Sequence, residues 1–387
     1  MPLFQLPPLS LYIHIPWCIQ KCPYCDFNSR ALKGSLNEEA YIDALLADLD
    51  SEQPQQHGRP LHSIFIGGGT PSLLSGRAIT KLLDGIRQRM VIPADIEVTL
   101  EANPGTLEAG RFARYRAAGV NRLSIGVQSF DAESLQRLGR IHRADEAVAA
   151  FHSARTAGFE QINLDLMFGL PGQDMALAQH DLERAIELQP EHISYYQLTL
   201  EPGTPFYHSP PTLPLEESLW EMQQQGEALL SDRGYSQYEI SAYAQSGMPC
   251  RHNLNYWTFG DYLGIGAGAH GKSTRPDRSI TRRWKPPEPS AYLAAAGMDQ
   301  GLSGQKTLAA DEIALEFMMN ALRLRQGFTE GLYQQRTGLP FATIATPVEE
   351  AIHEGLLENR NGIFSPTPLG RRFLNNLLEK FLGACRT

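Results

Sequence analysis

The chain has no apolar run of the roughly 18 residues that a bilayer-spanning helix needs, so no segment is expected to cross a membrane. It has no excess of basic charge. Lys and Arg number 34 against 43 Asp and Glu, a net charge of −9, which argues against general affinity for nucleic acid, because such binding rests on neutralising phosphates. Its opening stretch, MPLFQLPPLS, lacks the basic and long apolar segments of a secretory signal, and a cytoplasmic location is the expectation. Cysteine is scarce at five residues, an odd number unevenly placed, which does not read as a disulfide framework. The low hydrophobicity of a disordered chain is absent too: 42% of residues are hydrophobic and 20% charged. What remains is a globular chain of 387 residues, long enough for one large domain and a smaller one.

Short β-rich runs alternate with helical patterns six times. The expected strands are LYIHI (11–15), SIFIG (63–67), IEVTLE (96–101), RLSIGV (122–127), QINLDLMFG (161–169) and HISYYQLTL (192–200). Helices are expected over 38–52, 77–90, 106–119, 145–158, 176–188 and 216–234. This order predicts an α/β fold with a parallel sheet, as a partial (β/α)6 TIM-type barrel, with a flat doubly wound sheet as the alternative. Either way, ligands belong at the carboxyl ends of the strands. The stretches HIPWCIQKCPYC, GGGTPS, EANP, QSF, GLPG and EPGTP all fall there.

The expected organisation is a core over 1–235, an extension over 236–308 and a small, mostly helical, winged-helix-like domain over 309–387. Residues 310–387 carry eight Lys and Arg against nine Asp and Glu, so packing or partner binding suits this domain better than DNA binding. The stretch TRPDRSITRRWKPPEPS (274–290) reads as a connector or mobile lid, with Arg282, Arg283 and Lys285 as solvated charges.

Three of the cysteines fall in WCIQKCPYC as Cys18, Cys22 and Cys25. Structural zinc takes four protein ligands, commonly from two pairs, and no second pair accompanies these three. An iron–sulfur cluster accepts closely spaced thiolates from one loop. Three thiolates on a [4Fe-4S] cube leave one iron open to a small chelating ligand. Simple buried cysteines are the competing reading. Glycines in GGGTP let backbone approach a ligand, although they also make tight turns. Glu101 and Asp165 end their strands as carboxylates, and helix capping or surface pairing would equally use them.

CxxxCxxC after the first strand of such a chain resembles the radical S-adenosylmethionine superfamily. The fuller set YIHIPWC, IGGGTPS, EANPG, SIGVQSF, LGRIHR, NLDLMFGLPGQ and YQLTLEPGTPF is similar to the family of oxygen-independent coproporphyrinogen III oxidase. The resemblance implies a [4Fe-4S] cluster on Cys18, Cys22 and Cys25 and S-adenosylmethionine chelating its open iron. By motif it places Tyr12, Gly68, Gly69, Thr70 and Glu101 at that ligand. Gln128, Arg140 and Asp165 match contacts of a second S-adenosylmethionine in the oxidase, and His270 of GIGAGAHG matches a further nucleotide contact.

Two departures point to the heme-chaperone branch of that family. The oxidase has CxxxCxxCxC and a long preceding segment, whereas here Phe27 stands two places after Cys25 and 17 residues precede Cys18. HNLNYW (252–257) matches the HNxxYW pattern of that branch. It offers His252 as an axial ligand for heme, with Tyr256 and Trp257 as apolar faces. Taken alone, His252 reads more readily as a hydrogen-bonded structural histidine. Cys250 is a rival ligand, and Arg282, Arg283 and Lys285 are candidates for heme propionates. Cys385 carries no assignment. The implied function is to bind heme and deliver it to apo-proteins of respiratory enzymes, with membrane approach through a partner and no integral span; homodimer formation is left open. The alternative is the oxidative decarboxylase itself, or a radical enzyme with another substrate.

Overall fold

The computed structural model describes residues 5–105, 110–298 and 301–383. Six parallel strands stand in chain order: β1 (Leu9–Ile15), β2 (Leu61–Gly68), β3 (Glu97–Ala102), β4 (Arg122–Gln128), β5 (Gln161–Phe168) and β6 (His192–Gln197). Crossover helices join them: α1 (Glu38–Glu52), α2 (Gly76–Arg89), α3 (Phe112–Ala118), α4 (Ala144–Thr156) and α5 (Met175–Glu187), with α6 (Glu216–Asp232) after the last strand. The helix expected over 106–119 is seen from Phe112, and 106–109 lie outside the described residues.

These strands alternate, which a sheet with two apolar faces would not do. In β1, Leu9, Leu11, Ile13 and Ile15 are fully buried and join one continuous core with Ile64, Ile66, Val98, Leu100, Leu123, Ile125, Leu164 and Ile193 and the helices outside. Each such side chain contributes about 1.5–3 kcal/mol on burial. The opposite face carries Ser10, Tyr12 and His14 on β1 and continues through Ser63, Thr99, Ser124, Asn163 and Ser194 on the other strands. A sheet apolar outside and polar inside curls around a polar interior, which identifies the partial barrel.

The extension completes the same sheet. The hairpin β7 (Ser236–Glu239) and β8 (Ala242–Ala244) pairs antiparallel beyond β6. On the other side β9 (Asp261–Ile265) lies parallel to β1, and β10 (His270–Thr274), β11 (Ile280–Trp284) and β12 (Gly304–Thr307) follow antiparallel. The stretch expected as a lid over 274–290 therefore contains a strand of the main sheet, β11. The three cations expected to be solvated are paired instead: Lys285, 3% exposed, reaches Asp48 at 2.5 Å and Glu52 at 2.6 Å, Arg283 lies 3.3 Å from Glu52, and Arg282 pairs with Glu316 at 2.6 Å. Their partners lie on α1 and in the C-terminal unit, far off in sequence.

Between these flanks, α7 (Arg251–Trp257) closes the amino end of the barrel. Glu97 at the start of β3 accepts from the backbone N–H of Arg251 and of His252, each at 3.1 Å, and so caps the helix. Asn255 donates to Ser10 Oγ on β1 at 2.9 Å. The C-terminal unit packs α8 (Ala310–Ala321), α9 (Glu330–Thr337) and α10 (Ala342–His353) against a sheet of β13 (Phe328–Thr329), β14 (Leu357–Arg360) and β15 (Ile363–Pro366), in the order β13-β15-β14. Phe317, Phe328, Tyr333, Ile344 and Phe364 form its core, the winged-helix-like arrangement that the sequence suggests.

Candidate functional site

All of the unusual stretches after the strands except GLPG contribute to the lining of one cavity of about 520 Å³. Cys18, Cys22 and Cys25 line it together with Gly68, Gly69, Thr70, Glu101, Gln128, Arg140 and Asp165. Tyr12 lies deeper in the barrel and His270 is exposed outside it, stacked 6.4 Å from Trp284. Among the described residues no three His, Cys, Asp or Glu side chains close on a single ion; the three thiols bound a space rather than grip a point.

The cysteine loop is tied down at both ends. Residues 17–18 pair in parallel with 30–31, and Asn28 donates to the carbonyls of Ala267 and Pro287, each at 2.9 Å. The glycines of GGGTP run directly against this loop. Gly68 has φ +115° and Gly69 donates to Ile15 O at 2.7 Å. A Cβ on Gly69 would sit 2.5 Å from Trp17 O, closer than a side chain tolerates, and 3.0 Å from Cys18 Sγ. Burial pushes the Cys18 and Cys25 thiols above their ordinary range, whereas the Arg140 guanidinium stands 3.8 Å from Cys22 Sγ.

Two half-buried carboxylates, Glu101 and Asp165, line the cavity close enough for their charges to interact. Glu101 accepts from Gly68 N at 3.0 Å; burial first, and then the charge of Asp165, pushes its carboxyl up to about 8. Asp165 accepts from Ser124 at 2.9 Å and from Asn163 at 2.8 Å, and burial raises it as well. Gln128, at φ +68°, accepts from Tyr196 OH at 2.8 Å. Behind its loop, Asp181 accepts from Ser129 Oγ at 2.8 Å and Phe130 N at 2.6 Å. Burial raises that carboxyl to about 6.

Some connecting residues escaped the sequence reading. Asn103 donates to Thr70 Oγ1 at 3.1 Å and accepts from Arg140 at 2.9 Å, which locks the second strand's loop to the arginine. Its signal was present in EANP. His14 accepts from, or donates to, Tyr12 OH through Nδ1 at 2.9 Å, and Nε2 meets Asn28 O at 2.8 Å. Since a carbonyl only accepts, Nε2 carries the proton and Tyr12 donates to Nδ1.

His252 sits in the barrel floor. Its Nδ1 lies 3.1 Å from Ser63 Oγ, and its ring centroid is 4.9 Å from Phe65 and 6.4 Å from Tyr12. Burial and the nearby His62 push the imidazole down to about 3, so it is neutral. Nε2 has no hydrogen-bond partner among the described residues. Trp257, at the other end of α7, lines the cavity. Cys250 is 3% exposed and donates to Glu97 Oε1 at 3.4 Å; burial raises its thiol to about 12. Cys385 lies outside the described residues.

Residues 12–185 match the family model for the radical SAM superfamily, and residues 308–373 match the HemN C-terminal domain. The heme chaperone HemW of Escherichia coli (strain K12) is 52% identical over 98% of this chain and 100% of its own length. That of Haemophilus influenzae is 49% identical over 98% and 99%, and that of Bacillus subtilis (strain 168) 36% over 97% and 99%. The solved structure of coproporphyrinogen III oxidase, HemN, from Escherichia coli, described as a radical SAM enzyme, superposes with a TM-score of 0.82 at 25% identity, covering 98% of this chain and 91% of that one. At such identity over essentially the whole length, the chain belongs to the heme chaperone HemW family of the radical SAM superfamily.

Proposed function

We propose that the chain binds heme and hands it to apo-proteins of respiratory enzymes, while a [4Fe-4S] cluster and S-adenosylmethionine occupy the cysteine end of the barrel. The observation that carries this reading is the position of α7: the HNLNYW helix is built into the barrel, with the His252 ring in its floor, 6.4 Å from Tyr12 and tilted 36° to it, and Trp257 on the wall of the cavity that the cysteines also line. Ser63 at Nδ1 fixes the ring and leaves Nε2 as the ligating nitrogen, and the lowered pKa keeps it in the neutral form that binds iron.

The cysteine loop suits an iron–sulfur cube. Three thiols from one loop stand around open space, and Gly69 removes the side chain that would collide with Cys18. When bound, the cluster supplies an open iron and an electron. The protein's own residues do the rest. Gly68, Gly69 and Thr70 present backbone to the ligand, and Glu101 offers its second oxygen to an amino group. Tyr12 holds the inner wall through His14. Gln128, Arg140 and Asp165 form a polar face that suits ribose hydroxyls and a carboxylate. His270, as placed, would serve only the outer rim.

The oxidase reading shares this cluster site. Anaerobic incubation of the cluster-loaded protein with coproporphyrinogen III, S-adenosylmethionine and a reductant separates the two. Stoichiometric heme binding without protoporphyrinogen supports delivery; steady turnover to protoporphyrinogen overturns it. No helix among the described residues is long and apolar enough to cross a membrane, so the proposed hand-over to membrane-bound enzymes runs through a partner protein.

A further inference from the structure

The arginines and lysine that the sequence offered to heme propionates are all engaged elsewhere: Arg282 with Glu316, Arg283 with Glu52, Lys285 with Asp48 and Glu52. The cavity nevertheless has a cation on the wall formed by Glu239, Ser241 and Trp257, and it comes from the C-terminal unit. Arg323, just beyond α8, lines this wall. Its guanidinium carbon sits 4.3 Å over the Trp257 ring.

The chain brings it there by three independent ties. Glu239, at the end of edge strand β7, forms an antiparallel bridge to Leu324. Arg325 N donates to Tyr238 O at 2.9 Å. Asn320 donates to Tyr256 O at 3.0 Å, which fixes the end of α8 to α7. The C-terminal unit thus packs on the edge strand of the partial barrel and carries a guanidinium to the cavity wall beside α7.

That guanidinium is poorly satisfied by the protein. Its ion pair with Glu239 is loose at 3.6 Å, too long for a hydrogen bond. Arg323 Nε, Glu239 Oε2 and Trp257 Nε1 are all buried without a hydrogen-bond partner. Three unpaired polar atoms clustered on one wall of a cavity each cost free energy, and proteins keep such groups where a ligand completes them. Lys272, by contrast, meets Asp261 at 2.9 Å.

We propose that Arg323 and Trp257 form the carboxylate subsite of the cavity, where a propionate of a flat tetrapyrrole pairs with the guanidinium fork while the indole fixes the fork's plane. The proposal deepens the heme-binding reading and rests on it. A guanidinium held by stacking keeps its donors free for a bidentate carboxylate. Glu239 does not block this pairing. Burial holds its carboxyl above the ordinary range, so it can take up a proton when a ligand carboxylate replaces it at Arg323. The cavity size, about 520 Å³, falls within the range of small-molecule sites.

The test compares heme with its dimethyl ester, in which both propionates are capped, by absorbance titration of the full-length, cluster-loaded protein and of Arg323→Gln and Arg323→Lys. Heme should bind the native protein about tenfold more tightly than the ester, the factor a charge-assisted pair is worth. Arg323→Gln should lose that preference and leave ester binding unchanged, and Arg323→Lys should restore only part of it. Equal affinity of the native protein for heme and ester overturns the subsite and leaves heme binding itself intact, a result that does not depend on how any variant folds. A native protein that binds neither porphyrin overturns the heme-binding reading and the subsite with it.

Discussion

The hydroxyl oxygen of Ser63 lies 3.1 Å from His252 Nδ1, and the same hydroxyl lies 2.7 Å from Ser10 Oγ. β1, β2 and the barrel-floor helix are thereby joined at one imidazole whose other nitrogen has no hydrogen-bond partner among the described residues. If that nitrogen ligates heme iron, His252→Ala shifts or abolishes the Soret band of the heme complex. Ser63→Ala, which releases Nδ1, weakens heme binding by about 10–100-fold while keeping the band position. An unchanged Soret band in His252→Ala removes His252 from the coordination sphere.

Gly69→Ala places a methyl group against Trp17 O and Cys18 Sγ. The backbone oxygen cannot yield, so the cysteine loop must move. The variant should fold with native circular dichroism and hold little iron after reconstitution, as Cys22→Ser should. Full iron and sulfide content in either protein contradicts the assignment of this loop.

Glu101 gives the site a pH dependence. Its carboxyl titrates at about 8 in the folded protein, raised chiefly by burial. The stability it contributes is therefore fully present below its unfolded value and is lost as pH rises through about 8. Binding of a ligand ammonium needs the ionised form, so affinity for S-adenosylmethionine should rise with pH from 6 to 8, by at most about tenfold per unit. Glu101→Gln should flatten that slope. Isothermal titration across this range reads it directly, and an unchanged slope in the variant would sink the assignment.

Asp181 titrates at about 6 because it is buried behind the Gln128 loop. Its raised pKa gives stability at acid pH that fades as pH rises through 6. Asp181→Asn should remove this component from the melting temperature between pH 5 and 7. Asp181→Ala, which orphans Phe130 N–H, should cost about 1–3 kcal/mol.

Lys285 tests whether the former lid is a structural strut. Lys285→Ala leaves Asp48 without its cation and Glu52 with only Arg283, and should cost about 3–5 kcal/mol by urea denaturation. A loss near zero would return this residue to the surface role that its sequence neighbourhood suggested.

Much of the fold was readable because the six βα units have strong periodicity, and the ends of α1 at Glu38 and Glu52 fall where the pattern starts and stops. Even the choice between flat sheet and barrel was present in LSLYIHI, whose alternating serine, tyrosine and histidine mark a polar inner face. The cysteines, GGGTP and Glu101 were visible because each stands at the carboxyl end of its own strand. Arg323 and the burial of Lys285 were not, since both depend on partners from distant segments: Arg323 meets Trp257 and Glu239 only after the C-terminal unit docks, and Lys285 meets Asp48 only across the sheet. The proline and arginine content of 274–290 concealed a strand whose ITRRW core is β-forming.

The most direct measurement is an anaerobic absorbance titration of the cluster-loaded protein with heme, followed by addition of a heme-free acceptor enzyme. The account predicts a Soret change that saturates at one heme per chain and then diminishes as the acceptor gains activity. A titration that never saturates, or bound heme that the acceptor cannot draw off, would contradict it.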